Sequence, residues 1–251
     1  MKTSSSNLED KAKGWKFVNR LHPTDIDLGR ISLIREKDQE FLSDPANLEL
    51  LMLSLGLNNE SMKEMPASLL PYCGQGLRIW QYPTQFSKYL VTLSRLHICS
   101  YLEIGIRHGG TFVLTVEYLE KFHPVDFAIG LDIIPCPSMA DYQAIRPNTK
   151  FVNLNTQSYH FRAFLDQYEQ FDLVFIDGDH QESQCRNEFN SVKDKARIIV
   201  FHDIANVHWP DVGKVWREVR SSQEYDCQEY IDQYEGMGPY MGIGMAIRKN
   251  W

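Results

Sequence analysis

From about residue 84 onward, apolar positions switch repeatedly between two periods. Phe86, Tyr89, Leu90 and Leu93 recur at helical spacing and predict a helix over 84–97. Short apolar runs follow at 101–105, 127–132, 150–154, 173–177 and 197–202. Several are continuous rather than alternating, as expected of strands covered on both faces. Between them the helical period returns, with Phe112, Val116 and Leu119 on one face, then Phe161, Phe164, Leu165 and Tyr168 on another. A last helix is predicted near 212–220. Connections of this length imply right-handed crossovers between parallel strands. The C-terminal segment departs from that rhythm. Residues 225–234 and 241–248 both read as strands, and the linker 235–239 is short for a crossover helix, so the two are expected to pair antiparallel. The predicted fold is α/β: a doubly wound, mostly parallel seven-stranded sheet closed by an antiparallel hairpin.

Residues 1–83 differ in texture. Leu48, Leu51, Met52 and Leu55 have helical spacing behind Asp44-Pro45, a good helix start. Pro66, Pro71, Gly74 and Gly76 then interrupt the pattern. This region is expected to be a helical cap on the domain formed by 84–251 and a route to a homo-oligomer. Its first 13 residues are expected to be disordered.

Composition narrows the function classes. A formal net charge of −7 argues against a nucleic-acid partner, which usually demands a basic face. No apolar run is long enough to span a membrane, and the N-terminus lacks a secretory apolar core. The five cysteines show no C-x-x-C spacing and read as reduced thiols, so a cytoplasmic location is expected.

In doubly wound sheets, ligands bind beyond the carboxyl ends of the strands, so the residues there carry the chemistry. The first strand runs into the turn SYLEIGIRHGG, with Glu103, Gly105, Gly109 and Gly110. Arg107 stands where a dinucleotide loop has its middle glycine, so a pyrophosphate would meet a side chain. The carboxylate of Glu103 suits a cationic or amine-bearing ligand. The second strand ends at Asp132, able to accept two ribose hydroxyls, in a methyltransferase or a nicotinamide enzyme alike. Thr156 follows the third strand, where small polar residues can reach an adenine edge or cap a helix. Tyr82 and Gln85, ahead of the predicted helix at 84, can close over a cofactor or pack on the sheet. The fourth and fifth strands end in FDLVFIDGDH and RIIVFHDI. If those strands are neighbours, Asp177, Asp179, His180, His202 and Asp203 converge, and such side chains are the usual ligands of catalytic divalent ions.

Together LEIGIRHGGTF, FDLVFIDGDH and IIVFHDI resemble the class I S-adenosylmethionine-dependent methyltransferases. The nearest resemblance is to the group that includes macrolide-sugar and rhamnosyl O-methyltransferases and cephalosporin-hydroxylase-like proteins. It covers about residues 77–248, starting at GLRIWQYPTQF. It implies S-adenosylmethionine as cofactor, held by Glu103, Gly105, Gly109 and Asp132. It implies metal binding at Asp177 and Asp203, with His180 as general base. The residue before Asp203 is often Glu in metal-dependent members and is His202 here; with His202 as a third ligand the ion is expected to be Mg²⁺ or Mn²⁺, with Fe²⁺ or Zn²⁺ as alternatives, because an imidazole weakens oxygen-seeking Mg²⁺ or favours a softer ion. The expected activity is O-methylation of a small hydroxylated molecule, with Trp209 lining the acceptor pocket or simply buried. Two rivals stand beside it. One is an oxidative enzyme using two histidines and a carboxylate around iron. The other is a non-catalytic protein that binds S-adenosylmethionine.

Overall fold

The computed structural model describes residues 25–251; the segment expected to be disordered, 1–13, lies outside the described residues, as does the rest of 1–24. Nine α-helices are described: α1 (Ile31–Arg35), α2 (Gln39–Leu42), α3 (Pro45–Leu55), α4 (Pro83–Leu93), α5 (Gly110–Leu119), α6 (Ser138–Ile145), α7 (Tyr159–Leu165), α8 (Glu182–Val192) and α9 (Pro210–Ser221). Seven strands join them: β1 (Ser100–Ile104), β2 (Phe127–Asp132), β3 (Thr149–Asn153), β4 (Phe171–Ile176), β5 (Ala196–His202), β6 (Tyr225–Tyr230) and β7 (Ile243–Arg248). α3 starts where the Asp-Pro signal placed it, with Asp44 Oδ1 accepting the Ala46 N–H at 2.9 Å.

The strands form one sheet in the order β3-β2-β1-β4-β5-β7-β6. The first five are mutually parallel, and β7 runs antiparallel to both β5 and β6. All five residues of β1 are buried, because it is central and helices cover both faces. The order reverses at β1, where β2 lies on one side and β4 on the other. Crevices for ligands open at such a reversal.

The predicted hairpin is present but shorter than its apolar pattern suggested. Gln85 explains part of this. Its amide donates to the carbonyls of Asp232 and Tyr240 at 2.8 and 3.1 Å and accepts the Gly242 N–H at 3.0 Å, drawing that backbone away from the ladder. Met241 and Gly242 also have positive φ, which no strand accommodates.

One face of the sheet packs α7, α8 and α9 over Leu102, Ile104, Val174, Ile199 and Phe201. The other face carries α4 and α5, and its apolar cluster runs without a break from Ile31 and Leu48 through Phe86 and Phe112 to Met245. The N-terminal helices therefore share the core of the sheet. Ion pairs reinforce this. Glu117 of α5 is fully buried and accepts from Arg35 at 2.8 and 2.9 Å and from Arg146 at 2.9 and 3.0 Å. Backbone contact does the same at Gly110, where an added Cβ would lie 1.8 Å from the Leu77 carbonyl oxygen. Among the described residues no helix is long and apolar enough to cross a membrane, and all five cysteines are free.

Candidate active site

β4 and β5 are in register, with Ile176 opposite Phe201, so Asp177 emerges beside His202 and Asp203. His202 Nδ1 lies 2.8 Å from Asp177 Oδ1. His180 Nε2 lies 3.4 Å from the same oxygen and 3.3 Å from Asp203 Oδ2. Asp203 is further held by Asn206, whose amide donates to Oδ1 at 2.9 Å. Its φ of 65° is a left-handed conformation, a strain of roughly 1–3 kcal/mol that persists only where surroundings over-determine it. Asp179 does not join the group. It is exposed, and its carboxylate caps the Gln181 N–H at 3.0 Å. Four of the five expected groups therefore converge.

The electrostatics follow from two carboxylates facing two imidazoles. Burial opposes charge on His202, but Asp177 and Asp203 outweigh it and raise its pKa to about 9. His180 is raised for the same reason, burial being overcome by the hydrogen bond to Asp177 and the charge of Asp203. Burial likewise works against the Asp177 carboxylate, yet the His202 charge and both histidine hydrogen bonds hold it below its usual range. The donor atoms of Asp177, His180 and His202 lie within 4.8 Å of one another, close enough to share one ion. Nε2 of His202 is buried with no partner. Two imidazoles and a carboxylate fit Mn²⁺, Fe²⁺ or Zn²⁺ better than Mg²⁺. Asp203 stands outside that trio and faces it through His180 at 3.3 Å and, less closely, His202 at 3.8 Å.

The glycine turn departs from its expected use. Gly105 has φ 88°, and a Cβ there would lie 2.0 Å from the Asp177 carbonyl oxygen, so it makes room for the β4 loop and not for a ligand. Space beside Gly109 is filled by the Met139 side chain, and that beside Gly110 by Leu77. Glu103 was expected to offer its charge to a ligand. It is instead fully buried, accepts a short hydrogen bond from the Tyr101 hydroxyl, and has its pKa raised by desolvation to about 8. Asp132 keeps its place at the end of β2, where its carboxylate accepts the N–H of Arg107 at 2.7 Å and of Ile134 at 2.8 Å.

Three more expected contacts are redirected. Gln85 spends its polar atoms on the 232–242 loop. Tyr82 is fully buried, its ring edge-on to Tyr234 and Tyr240 at 4.9 and 5.5 Å. The Thr156 hydroxyl donates to Glu188 at 2.7 Å and accepts from Gln184 at 2.9 Å. Trp209 is half-exposed, with its ring 5.5 Å from that of His180.

Sequence reasoning missed two residues of the N-terminal segment. Gln81 donates to Asp177 Oδ2 at 3.3 Å, and Glu60 pairs with Arg107 and His108 of the glycine turn. Both act across long sequence separations and carry no local signature. The position of Gln81 inside the conspicuous run GLRIWQYPTQF was the available hint.

Residues 102–204 match the family described as "Methyltransferase domain". This part of the chain is similar to a methyltransferase domain, and the sheet order and antiparallel terminal hairpin of the whole fold agree with that likeness. No curated protein gives a significant sequence match. Among solved structures, an O-methyltransferase from Bacillus cereus in complex with SAH is similar at 13% identity and a TM-score of 0.52, covering 85% of this chain and 93% of that one. MycE, a methyltransferase from the mycinamycin biosynthetic pathway in complex with Mg, SAH and mycinamycin VI, is similar at 16% identity and a TM-score of 0.45. That match covers 66% of this chain and 49% of MycE. The likeness to the Bacillus cereus enzyme is one of fold. Gln81, Glu60 and Asn206, which hold Asp177, Arg107 and Asp203, lie outside residues 102–204.

Proposed function

We propose that this protein is an S-adenosylmethionine-dependent O-methyltransferase acting on a small hydroxylated ring, with His180 as general base. The observation that carries the reading is His180 set between Asp177 and Asp203 at the ends of neighbouring strands, beside the glycine turn. S-adenosylmethionine supplies a methyl group on a sulfonium sulfur, open to in-line attack by an oxygen nucleophile. The residues suit that cofactor: Asp132 stands at the end of β2, and near the turn Arg107 Nη1 and Gln81 Oε1 are buried without partners.

Asp177 accepts from Nε2 of His180 and Asp203 faces the same nitrogen, so the two carboxylates fix the ring's orientation. Nδ1 remains to take the acceptor's proton, the arrangement by which a carboxylate orients a catalytic imidazole. The raised pKa makes His180 a stronger base than a free imidazole, charged through more of the neutral range. Asn206 anchors Asp203, and Gln81 anchors Asp177. Trp209 and Val207, both more than half-exposed or close to it at 50% and 59%, offer an apolar floor beside His180 for the flat face of a ring. The net charge of −7 supports a small-molecule acceptor over a nucleic acid.

The donor set supports a second reading. Asp177, His180 and His202 together would hold a divalent ion, which would supply Lewis acidity toward adjacent hydroxyls or, as iron, oxidative chemistry. In that case His180 is a ligand and not the base.

One experiment separates these readings. Purified protein is given S-adenosylmethionine and a panel of catechols and sugars, with and without EDTA, and products are weighed by mass spectrometry. The first reading expects a methylated ring that survives chelation and disappears in His180→Ala. Activity abolished by EDTA and restored by Mn²⁺ favours the metal. Failure to bind SAH by calorimetry sinks both methyl-transfer readings.

A further inference from the structure

Arg107 occupies an unusual position. It lies in the glycine turn with φ 48°, a left-handed conformation that arginine rarely adopts. Its backbone N–H is fixed by Asp132, so its side chain starts within one residue of the acid at the end of β2. That side chain is only 15% exposed and points to Glu60, which belongs to the N-terminal segment.

The Arg107–Glu60 contacts are loose. Nη2 lies 3.2 Å from both Glu60 oxygens and Nε 3.4 Å from one, whereas charge-assisted pairs normally close to roughly 2.7–2.9 Å. Nη1 is buried and has no partner. Glu60 has a better partner in His108, whose Nε2 is 2.6 Å from Oε1, and the Glu60 N–H is tied to Asn58 Oδ1 at 2.6 Å. Glu60 can therefore keep its place without Arg107. The guanidinium, in contrast, has a bidentate fork only partly used and a buried N–H with nothing to accept it. A planar carboxylate is the group that matches such a fork.

We propose that Arg107 receives the α-carboxylate of the cofactor's methionyl group, and that Glu60 is the internal carboxylate that holds the guanidinium until the ligand's carboxylate takes it. The inference rests on the S-adenosylmethionine reading above. It gives the N-terminal segment a role in cofactor loading: exchange of one carboxylate for another on Arg107 frees Glu60 to remain with His108. It also accounts for Arg at the position where a dinucleotide loop needs glycine.

The test compares two ligands by calorimetry. SAH carries the amino-acid carboxylate, and 5′-methylthioadenosine lacks it. Arg107→Met should weaken SAH by roughly 10–100-fold, the scale of a hydrogen bond between charged groups. The same variant should bind methylthioadenosine as the wild type does, which also shows that it is folded. Glu60→Gln, with the competing charge removed, should bind SAH several-fold more tightly and leave methylthioadenosine unchanged. If Arg107→Met binds SAH normally, or weakens both ligands equally, the carboxylate role is overturned. If the wild type binds neither ligand, the cofactor reading itself fails and this inference falls with it.

Discussion

Replacing Gly105 with alanine tests whether the glycine turn is built around the protein or around a ligand. Two costs apply. At φ 88° an alanine adopts a left-handed backbone, worth about 1–2 kcal/mol. Its Cβ would also lie 2.0 Å from the Asp177 carbonyl oxygen, a backbone atom that cannot rotate away. Overpacking of that kind costs about 1–3 kcal/mol. The sum is about 2–5 kcal/mol of stability. Gly236 supplies the control, since its φ is 77° but an added Cβ there meets nothing within 4 Å. Gly236→Ala should therefore cost only the backbone portion, about 1–2 kcal/mol. Urea unfolding of both variants, with an unchanged m-value, measures the difference. Gly105→Ala should also lower turnover, because the strand end it pushes aside carries Asp177. Equal destabilisation of the two variants, within about 0.5 kcal/mol, would refute the claim that Gly105 exists for the β4 loop.

Three further expectations follow from the same contacts. Folded Glu103 keeps its proton to about pH 8, whereas the unfolded chain releases it near the ordinary value of 4.5. The native state then binds more protons between those values, so stability is fullest below the lower one and falls as pH rises through the upper. Glu103→Gln should flatten that decline in thermal unfolding measured with EDTA present, and an unchanged slope would show that Glu103 ionises normally. Glu117→Ala removes a buried carboxylate from two arginines and should cost about 3–5 kcal/mol, read from chemical unfolding; a loss under 1 kcal/mol would mean that Arg35 and Arg146 are rehydrated freely. His180→Ala should lower kcat by roughly 10²–10⁴-fold with SAH affinity unchanged. The wild-type pH–rate profile should show an acidic limb above the ordinary imidazole range, because carboxylates raise this histidine; turnover within a few-fold of wild type would leave His180 a purely structural role.

The parallel part of the sheet was legible because burial on both faces leaves long apolar runs, and β2 begins and ends where its run does. The hairpin was legible in kind but not in length, since what shortens it is the side chain of Gln85, well over a hundred residues away. At the site, the Asp177, His180, His202 and Asp203 grouping could be read because each lies at a strand end and the two strands are neighbours. The role of Glu103 could not. Its motif position says carboxylate, while complete burial keeps it neutral against the opposing hydrogen bond from the Tyr101 hydroxyl, and burial is a property of the assembled sheet. Gln81, despite its place in GLRIWQYPTQF, and Glu60 were not assigned for a related reason: they reach Asp177 and Arg107 by tertiary packing alone.

The continuous apolar cluster from Ile31 to Met245 has a consequence for how ligands enter. A cover hinged on a thin interface can swing away as a rigid body. Here such a swing would expose the buried carboxylate of Glu117 and strip α3 and α4 of their shared apolar contacts. Exchange of cofactor and product must therefore run through small rearrangements at the rim, around Glu60 and the loop bearing Val207 and Trp209, while the N-terminal helices stay seated. The enzyme's turnover would then be timed by side chains changing partners rather than by a lid opening and closing.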